Sequence, residues 1–286
     1  MLTLKNYLLN TYAPSTAKAY EREILLYQNR VPGAENGTYK TVVNYLDYLR
    51  KQNNQSGSIV RILAGVKSYY YYLIAIEKRK DHPCQHLILR DTKTKDIQLQ
   101  DLFTSEELTL LMNRKERYED LALKHKVVIS LLIYQGLTSA EIIRLTVDDV
   151  DLERGEVYIK GSRKLNERTL KLKQNQILLF YKYINESRPK LLREITAILI
   201  IGKLGNPSAV SSVNYIVNAF KTLFPERKLT AITIRQSVIA NKLKSGMDLR
   251  LAQHFAGHKY PSTTERYKQY QVDELQQGIN KFHPLK

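Results

Sequence analysis

Tryptophan is absent from the chain, and cysteine occurs once, as Cys84. A single cysteine excludes an internal disulfide and fits a reducing compartment. There is no uninterrupted apolar run of the roughly 18 residues that a membrane-crossing helix needs. No terminal helix combines a dense Lys/Arg face with an apolar one, which argues against attachment to a membrane surface. The opening stretch MLTLKNYLLNTYAPS lacks the apolar core and small-residue cleavage site of an export signal, so a cytoplasmic protein without a membrane partner is expected. Phosphate-cradling patterns of the GxxxxGK[ST] or GxGxxG type are missing as well, and GKLGN at 202–206 reads as a turn. His82, Cys84 and His86 crowd into five residues, too tight to converge on a tetrahedral ion, with no fourth ligand in view. They read as the end of a domain, and no metal or cofactor is expected. Acidic residues are scarce beside basic ones: 28 Asp+Glu against 45 Lys+Arg, a net charge of +17. Such a surplus points to a polyanion, because clustered cations gain affinity by releasing the counterions of phosphates. The acids Asp148, Asp149, Asp151 and Glu153 resemble a magnesium site less than a solvated turn in a charge-mixed stretch.

What is present is mostly helix. Hydrophobic residues make up 43% of the chain, enough to fold around a core. The first 90 residues read as helices: one capped by Ser15 or Thr16, one carrying Val42, Val43, Tyr45, Leu46 and Leu49 at helical spacing, and one running from about Ser58. Four consecutive tyrosines, Tyr69 to Tyr72, invite a base-stacking role. Consecutive residues point all round a helix, however, so most should be packing residues. The polar stretch RDTKTKDIQLQD at 90–101 reads as a linker. Thr104 and Glu107 then form a T-x-x-E capping box that opens a second domain. Within it, GEVYIKGSRKLNERTLKL changes period from helical to alternating around a Gly-Ser-Arg-Lys turn, the mark of a β-hairpin. ITAILIIG reads as a short buried strand or a helix end, and SAVSSVNYIVNAFKTLF as a helix.

The most informative stretch is FAGHKYPSTTERYKQY at 255–270. His258 and Tyr267 flank a Pro-Ser-Thr-Thr turn, and two readings compete. In one, a helix ends at Gly257, another starts near Ser262, and Tyr267 packs in the core. In the other, His258 and Tyr267 meet at one phosphate.

Residues 229–270, with AITIRQ placing Arg235, AGH placing His258 and STTERY placing Tyr267, resemble the C-terminal active-site region of the tyrosine recombinases, the phage integrase and Xer-like family. Upstream, YQGLTSAEIIRL resembles the family's G-L-R-x-x-E-L segment. YIKGSRKLNERTLKL resembles its β-hairpin, with Lys160 at the catalytic lysine and Lys164 as its rival. The resemblance spans essentially the whole chain. It implies a mainly α protein with a small β-hairpin or sheet in the C-terminal domain, arranged as a two-domain clamp on double-stranded DNA. The domains would be an N-terminal helical core-binding domain at 1–90, a linker at 91–101 and a catalytic domain at 102–286. By the same resemblance, four protomers would act on two synapsed sites. The terminal segment, with Val272, Leu275, Ile279 and Phe282 at helical spacing, would dock in trans on a neighbour.

The chemistry has its own logic. Attack on a phosphodiester by a phenol needs a positioned nucleophile, cationic donors on the non-bridging oxygens and an acid for the departing sugar oxygen. Tyr267 would attack and hold a 3′-phosphotyrosine; Tyr270, one turn on, is its rival. Arg235 and His258 would donate to the phosphate, and Lys160 would protonate the leaving 5′ oxygen. Two positions depart from the family pattern. Its first arginine falls on Thr138, which reads locally as a cap with Glu141, and its first histidine falls on Ile232. Arg144 is the candidate to compensate. The expected function is site-specific recombination or integration of mobile-element DNA. The alternative is a catalytically impaired DNA-binding paralogue of an active recombinase, and a relaxing type IB topoisomerase stands third.

Overall fold

The computed structural model describes residues 2–90, 97, 101–113 and 119–267. The chain divides into two compact units, Met1–Lys95 and Asp96–Lys286. Tyr270, the terminal apolar stripe and most of the predicted linker lie outside the described residues.

The first unit contains α1 (Leu4–Thr11), α2 (Pro14–Arg30), α3 (Tyr39–Lys51) and α4 (Ser56–Ala75). The start of α2 corrects the expected cap at Ser15 or Thr16. Pro14 occupies the first helical turn after Ala13, where its fixed φ is an advantage and its missing N–H costs nothing. In α3, Val42, Tyr45, Leu46 and Leu49 form the buried stripe, while Val43 is only half-buried. The tyrosines supply core instead of a stacking platform: Tyr69 and Tyr70 are buried against Tyr27 and Tyr45, and only Tyr71 of the four is exposed. Tyr70 donates to Ala34 O at 2.9 Å and shares a 2.7 Å hydroxyl contact with Tyr27, so its polar end is satisfied on burial. His82 lies with Nε2 3.0 Å from Lys67 O, and its Nδ1 accepts from the Cys84 amide at 3.3 Å.

The second unit opens at α5 (Ser105–Leu110), where Thr104 and Glu107 make the reciprocal capping box. Then follow α6 (Glu119–Tyr134) and the single turn α7 (Ser139–Ile142). A three-stranded antiparallel sheet comes next, in the order β1 (Val150–Asp151), β2 (Glu156–Ile159), β3 (Arg168–Lys171). Val157 pairs with Leu170 and Ile159 with Arg168. The remaining helices are α8 (Gln174–Lys182), α9 (Arg188–Leu191), α10 (Val210–Asn218), α11 (Ala231–Lys244), α12 (Leu249–Ala256) and α13 (Pro261–Glu265). ITAILIIG joins no named strand. It is buried at Leu199, Ile200 and Ile201, and forms single bridges from Ile198 to Thr146 and from Ile201 to Pro207. The main core gathers α6, the sheet, α8, α10 and the start of α11. A smaller cluster joins α11 and α12 with Tyr267. Among the described residues, no helix is long and apolar enough to cross a membrane.

Candidate active site

Two helix ends create the first element of the site. Gly136 follows α6 with φ of 59°, and Gly257 follows α12 with φ of 70°, backbone states that favour glycine because it has no Cβ. At Gly257 the side-chain-free Cα is also a steric need, since a Cβ there would run into the Arg168 guanidinium. Both helix ends present carbonyls to Arg235, which reaches them from α11: Nη1 donates to Gly136 O at 2.6 Å and Nη2 to Ala256 O at 2.5 Å. The negative ends of two helices thus hold one buried cation.

A carboxylate ties this arginine to the rest of the unit. Glu141 is buried, and its Oε2 accepts from Thr138 N at 2.8 Å and Thr138 Oγ1 at 2.9 Å. The same oxygen lies 3.7 Å from Arg235 Nη1, and Oε1 accepts from Arg168 Nη1 at 2.7 Å. Burial opposes ionisation of Glu141, but the Arg168 and Arg235 charges and the Thr138 amide outweigh it and hold the carboxyl below its usual range. Arg168 also donates through Nε to Phe255 O at 2.7 Å. Sequence reasoning missed this arginine. The signal was available: strand alternation puts Arg168 and Leu170 on the inward face of β3, and an inward-facing charge requires a partner.

The turn after α12 brings His258 and Tyr267 together. Their rings stack at 6.4 Å between centroids, 17° from parallel. His258 Nδ1 is 2.8 Å from Thr264 Oγ1, and the Tyr267 amide donates to Thr264 O at 3.0 Å. Tyr267 also belongs to the buried cluster that contains Ile239, Leu243 and Ala252, as the core reading expects. Burial raises the Tyr267 pKa, while Arg235 and Arg266 pull it back. Arg235 and Tyr267 line one cavity of 290 Å³, together with Thr138, Ile232, Gln236 and Arg266. Thr138 is the cap of α7, and Ile232 is 70% exposed at the start of α11. Arg144 is exposed and bonds Ala140 O of its own helical turn at 3.1 Å.

Lys160 follows β2 and pairs with an acid of the preceding turn. Its ammonium is 3.0 Å from Asp149 Oδ1 and 3.5 Å from Thr146 Oγ1. Asp149 is a correction to the solvated acidic turn: it is buried, accepting from Thr146 N at 2.8 Å and Thr146 Oγ1 at 2.7 Å. The capping geometry draws it inward, away from water. Lys164 is exposed in the hairpin loop. That loop touches the histidine turn directly, with Leu165 bridged to His258 and the Asn166 amide donating to Gly257 O at 2.8 Å.

The His258 pKa is pushed down to about 4, first by burial and then by Arg235 and Arg168, with Glu141 acting in the opposite sense. As pH falls, the unfolded chain binds this proton first, near the ordinary value of 6.5. The stability contributed by the neutral ring is therefore complete above about pH 6.5 and lost between there and about pH 4. Urea midpoints across that window should fall less in His258→Gln than in wild type. An equal fall in both would disprove the assignment. His82, also shifted down by burial, is unchanged in the comparison.

An arginine, a histidine and a tyrosine are thus gathered where helix ends meet beside a hairpin. Residues 101–274 match the phage integrase family, and residues 4–77 match the phage integrase N-terminal SAM-like domain. The chain belongs to the phage integrase family of tyrosine recombinases. It is 28% identical over 279 residues to tyrosine recombinase XerD of Halalkalibacterium halodurans, covering 94% of this chain and 92% of the relative. Among solved structures, the fold resembles the Tn1549 transposon integrase in complex with circular intermediate DNA, with a TM-score of 0.68 at 15% identity over 93% of this chain and 95% of that one. It also resembles a lambda integrase dimer bound to a core site, with a TM-score of 0.68 at 15% identity over 92% of this chain and 75% of that one.

Proposed function

We propose that this chain is a site-specific DNA recombinase that cuts and rejoins duplex DNA through a 3′-phosphotyrosine at Tyr267. The observation that carries the reading is the convergence of Arg235 and Tyr267 on one cavity, with His258 against the tyrosine ring. Tyr267 Oη would bond to phosphorus as the P–O5′ bond breaks. Its phenolic proton passes to solvent, and the departing oxygen takes a proton from Lys160. Rejoining is the reverse, so the bond energy is conserved in the protein–DNA link. Arg235 and His258 would bind the non-bridging oxygens. Lys160 must exchange Asp149 for the DNA to act, and the 52% exposure of its side chain supports that freedom. The first unit would be the core-binding domain and the second the catalytic domain, with residues 272–286 docking on a neighbouring protomer in a tetrameric synapse.

A nicked suicide substrate built on the gene's own flanking DNA tests the reading. Covalent adducts that map to Tyr267 and vanish in Tyr267→Phe are expected. Binding without adducts would favour the impaired paralogue, a reading to which Thr138 and Ile232 lend weight. Relaxation of supercoiled DNA at any sequence would favour the topoisomerase.

The net charge of +17 sets a second expectation. Affinity for duplex DNA should fall steeply with salt, by about 10³-fold or more between 50 and 200 mM if six or more phosphates are neutralised. A nearly flat salt plot would contradict phosphate-dominated binding.

A further inference from the structure

We infer that Thr264 fixes the protonation of His258, holding the ring as the neutral tautomer with Nδ1 bare and the proton on Nε2. Thr264 is sealed from water at 0% exposure, His258 is buried at 6%, and Nδ1 and Oγ1 are 2.8 Å apart. A hydroxyl carries one proton, and a neutral imidazole carries one N–H. If Nδ1 bore that N–H and donated to Oγ1, the threonine proton would need another acceptor. Among the described residues, the His258 ring nitrogen is the only hydrogen-bond partner of the Thr264 hydroxyl. That arrangement therefore strands a buried donor and forfeits its full desolvation cost. With Oγ1–H donating to Nδ1 instead, the hydroxyl is satisfied and the N–H falls on Nε2, which among the described residues is not one of the buried side-chain atoms left without a partner. The doubly protonated ring is opposed by the neighbouring guanidinium groups of Arg235 and Arg168, both buried.

Thr264 thereby serves two partners at once. Its hydroxyl sets the histidine, and its carbonyl accepts the Tyr267 amide at 3.0 Å. One residue of α13 positions both ends of the nine-residue spacing. In the recombinase reading, on which only this last step rests, Nε2–H gives the phosphate a hydrogen bond from a neutral donor, and it does so across the range in which a free histidine would titrate. Thr264 is a positioning residue, acting through His258.

The test is made first on the full chain without DNA. Long-range proton–nitrogen NMR of histidine-labelled protein separates protonated from bare ring nitrogens, and His258→Gln assigns the signal. A bare Nδ1 and a protonated Nε2 are expected in wild type and in Thr264→Ser. In Thr264→Val, which keeps the side-chain shape but not the donor, the Nδ1–H form should rise about ten-fold or more relative to wild type. A protonated Nδ1 in wild type overturns the inference, as does an unchanged tautomer in a folded Thr264→Val. If the valine variant does not fold, the wild-type spectrum alone decides. On the suicide substrate, adduct formation should fall about 10- to 100-fold in Thr264→Val and be restored in Thr264→Ser. Absence of adducts in wild type would sink the recombinase reading and leave the tautomer result standing.

Discussion

Replacing Glu141 by Gln should lower the stability of the second unit by about 3–5 kcal/mol, because it leaves the buried Arg168 charge without its counter-ion. The side chains of Arg168 and Glu141 are 0% and 1% exposed, and the pair is 2.7 Å apart. An amide keeps one acceptor, but it cannot neutralise Arg168 and Arg235 together. For a unit of this size the loss corresponds to a drop in melting temperature on the order of 10 °C. Adding Arg168→Met should recover much of it, since removing both charges of a buried pair often costs little. The same pair sets a pH dependence. The Glu141 carboxyl titrates below its usual range, so its contribution is present above the ordinary glutamate pKa and is lost as acid carries the pH through the folded value. Thermal unfolding followed in the second unit alone would check this. A Glu141→Gln protein that melts with wild type would show that the carboxylate is dispensable.

The double variant Thr138→Arg, Ile232→His should raise the rate of adduct formation by about 10²–10³, the amount that one pre-aimed donor contributes to charge stabilisation. Both positions line the cavity that holds Arg235 and Tyr267, and neither Thr nor Ile brings a charge to it. The gain carries a cost at position 138. Thr138 Oγ1 accepts from the Glu141 amide at 3.2 Å, and loss of such a cap removes about 1 kcal/mol. Glu141 remains to pair with the new arginine. Single-turnover cleavage and a melting curve should be measured on the same preparation. Unchanged cleavage in a folded double variant would mean that a cation already present supplies the charge, either Arg266 at the cavity wall or Arg144.

Much of this architecture was legible because local signals agreed with one another. The capping boxes at Thr104 and Thr138 appear where their T-x-x-E patterns placed them. The period change at 156–171 became β2 and β3. His258 and Tyr267 were singled out by the resemblance, and the Pro-Ser-Thr-Thr stretch between them, expected as a turn, is the helix α13, with Pro261 in its first turn. What escaped was long-range and polar. Arg168 reaches Glu141 across 27 residues and Phe255 across 87, and no window of sequence displays that convergence. Asp149 looked like surface because its neighbours are charged. Its inward position comes from a three-residue helical turn capped by its own carboxylate, which composition does not reveal. The start of α2 was misplaced because Ser15 and Thr16 competed with Pro14, and a fixed φ decided the matter.

The hairpin loop and the histidine turn are fastened by the Asn166 amide on Gly257 O, the Leu165 bridge to His258 and the Arg168 Nε on Phe255 O. These ties divide the loop into a part that evolution can rewrite and a part that it cannot. Insertions at Arg163 and Lys164, both exposed, would lengthen the tip and leave the fastening alone. A single extra residue between Leu165 and Arg168 would shift the register by one, turn Arg168 outward and withdraw the buttress from Gly257. The hairpin could then diversify toward new DNA sites only from its tip, with its base kept in step with the chemistry.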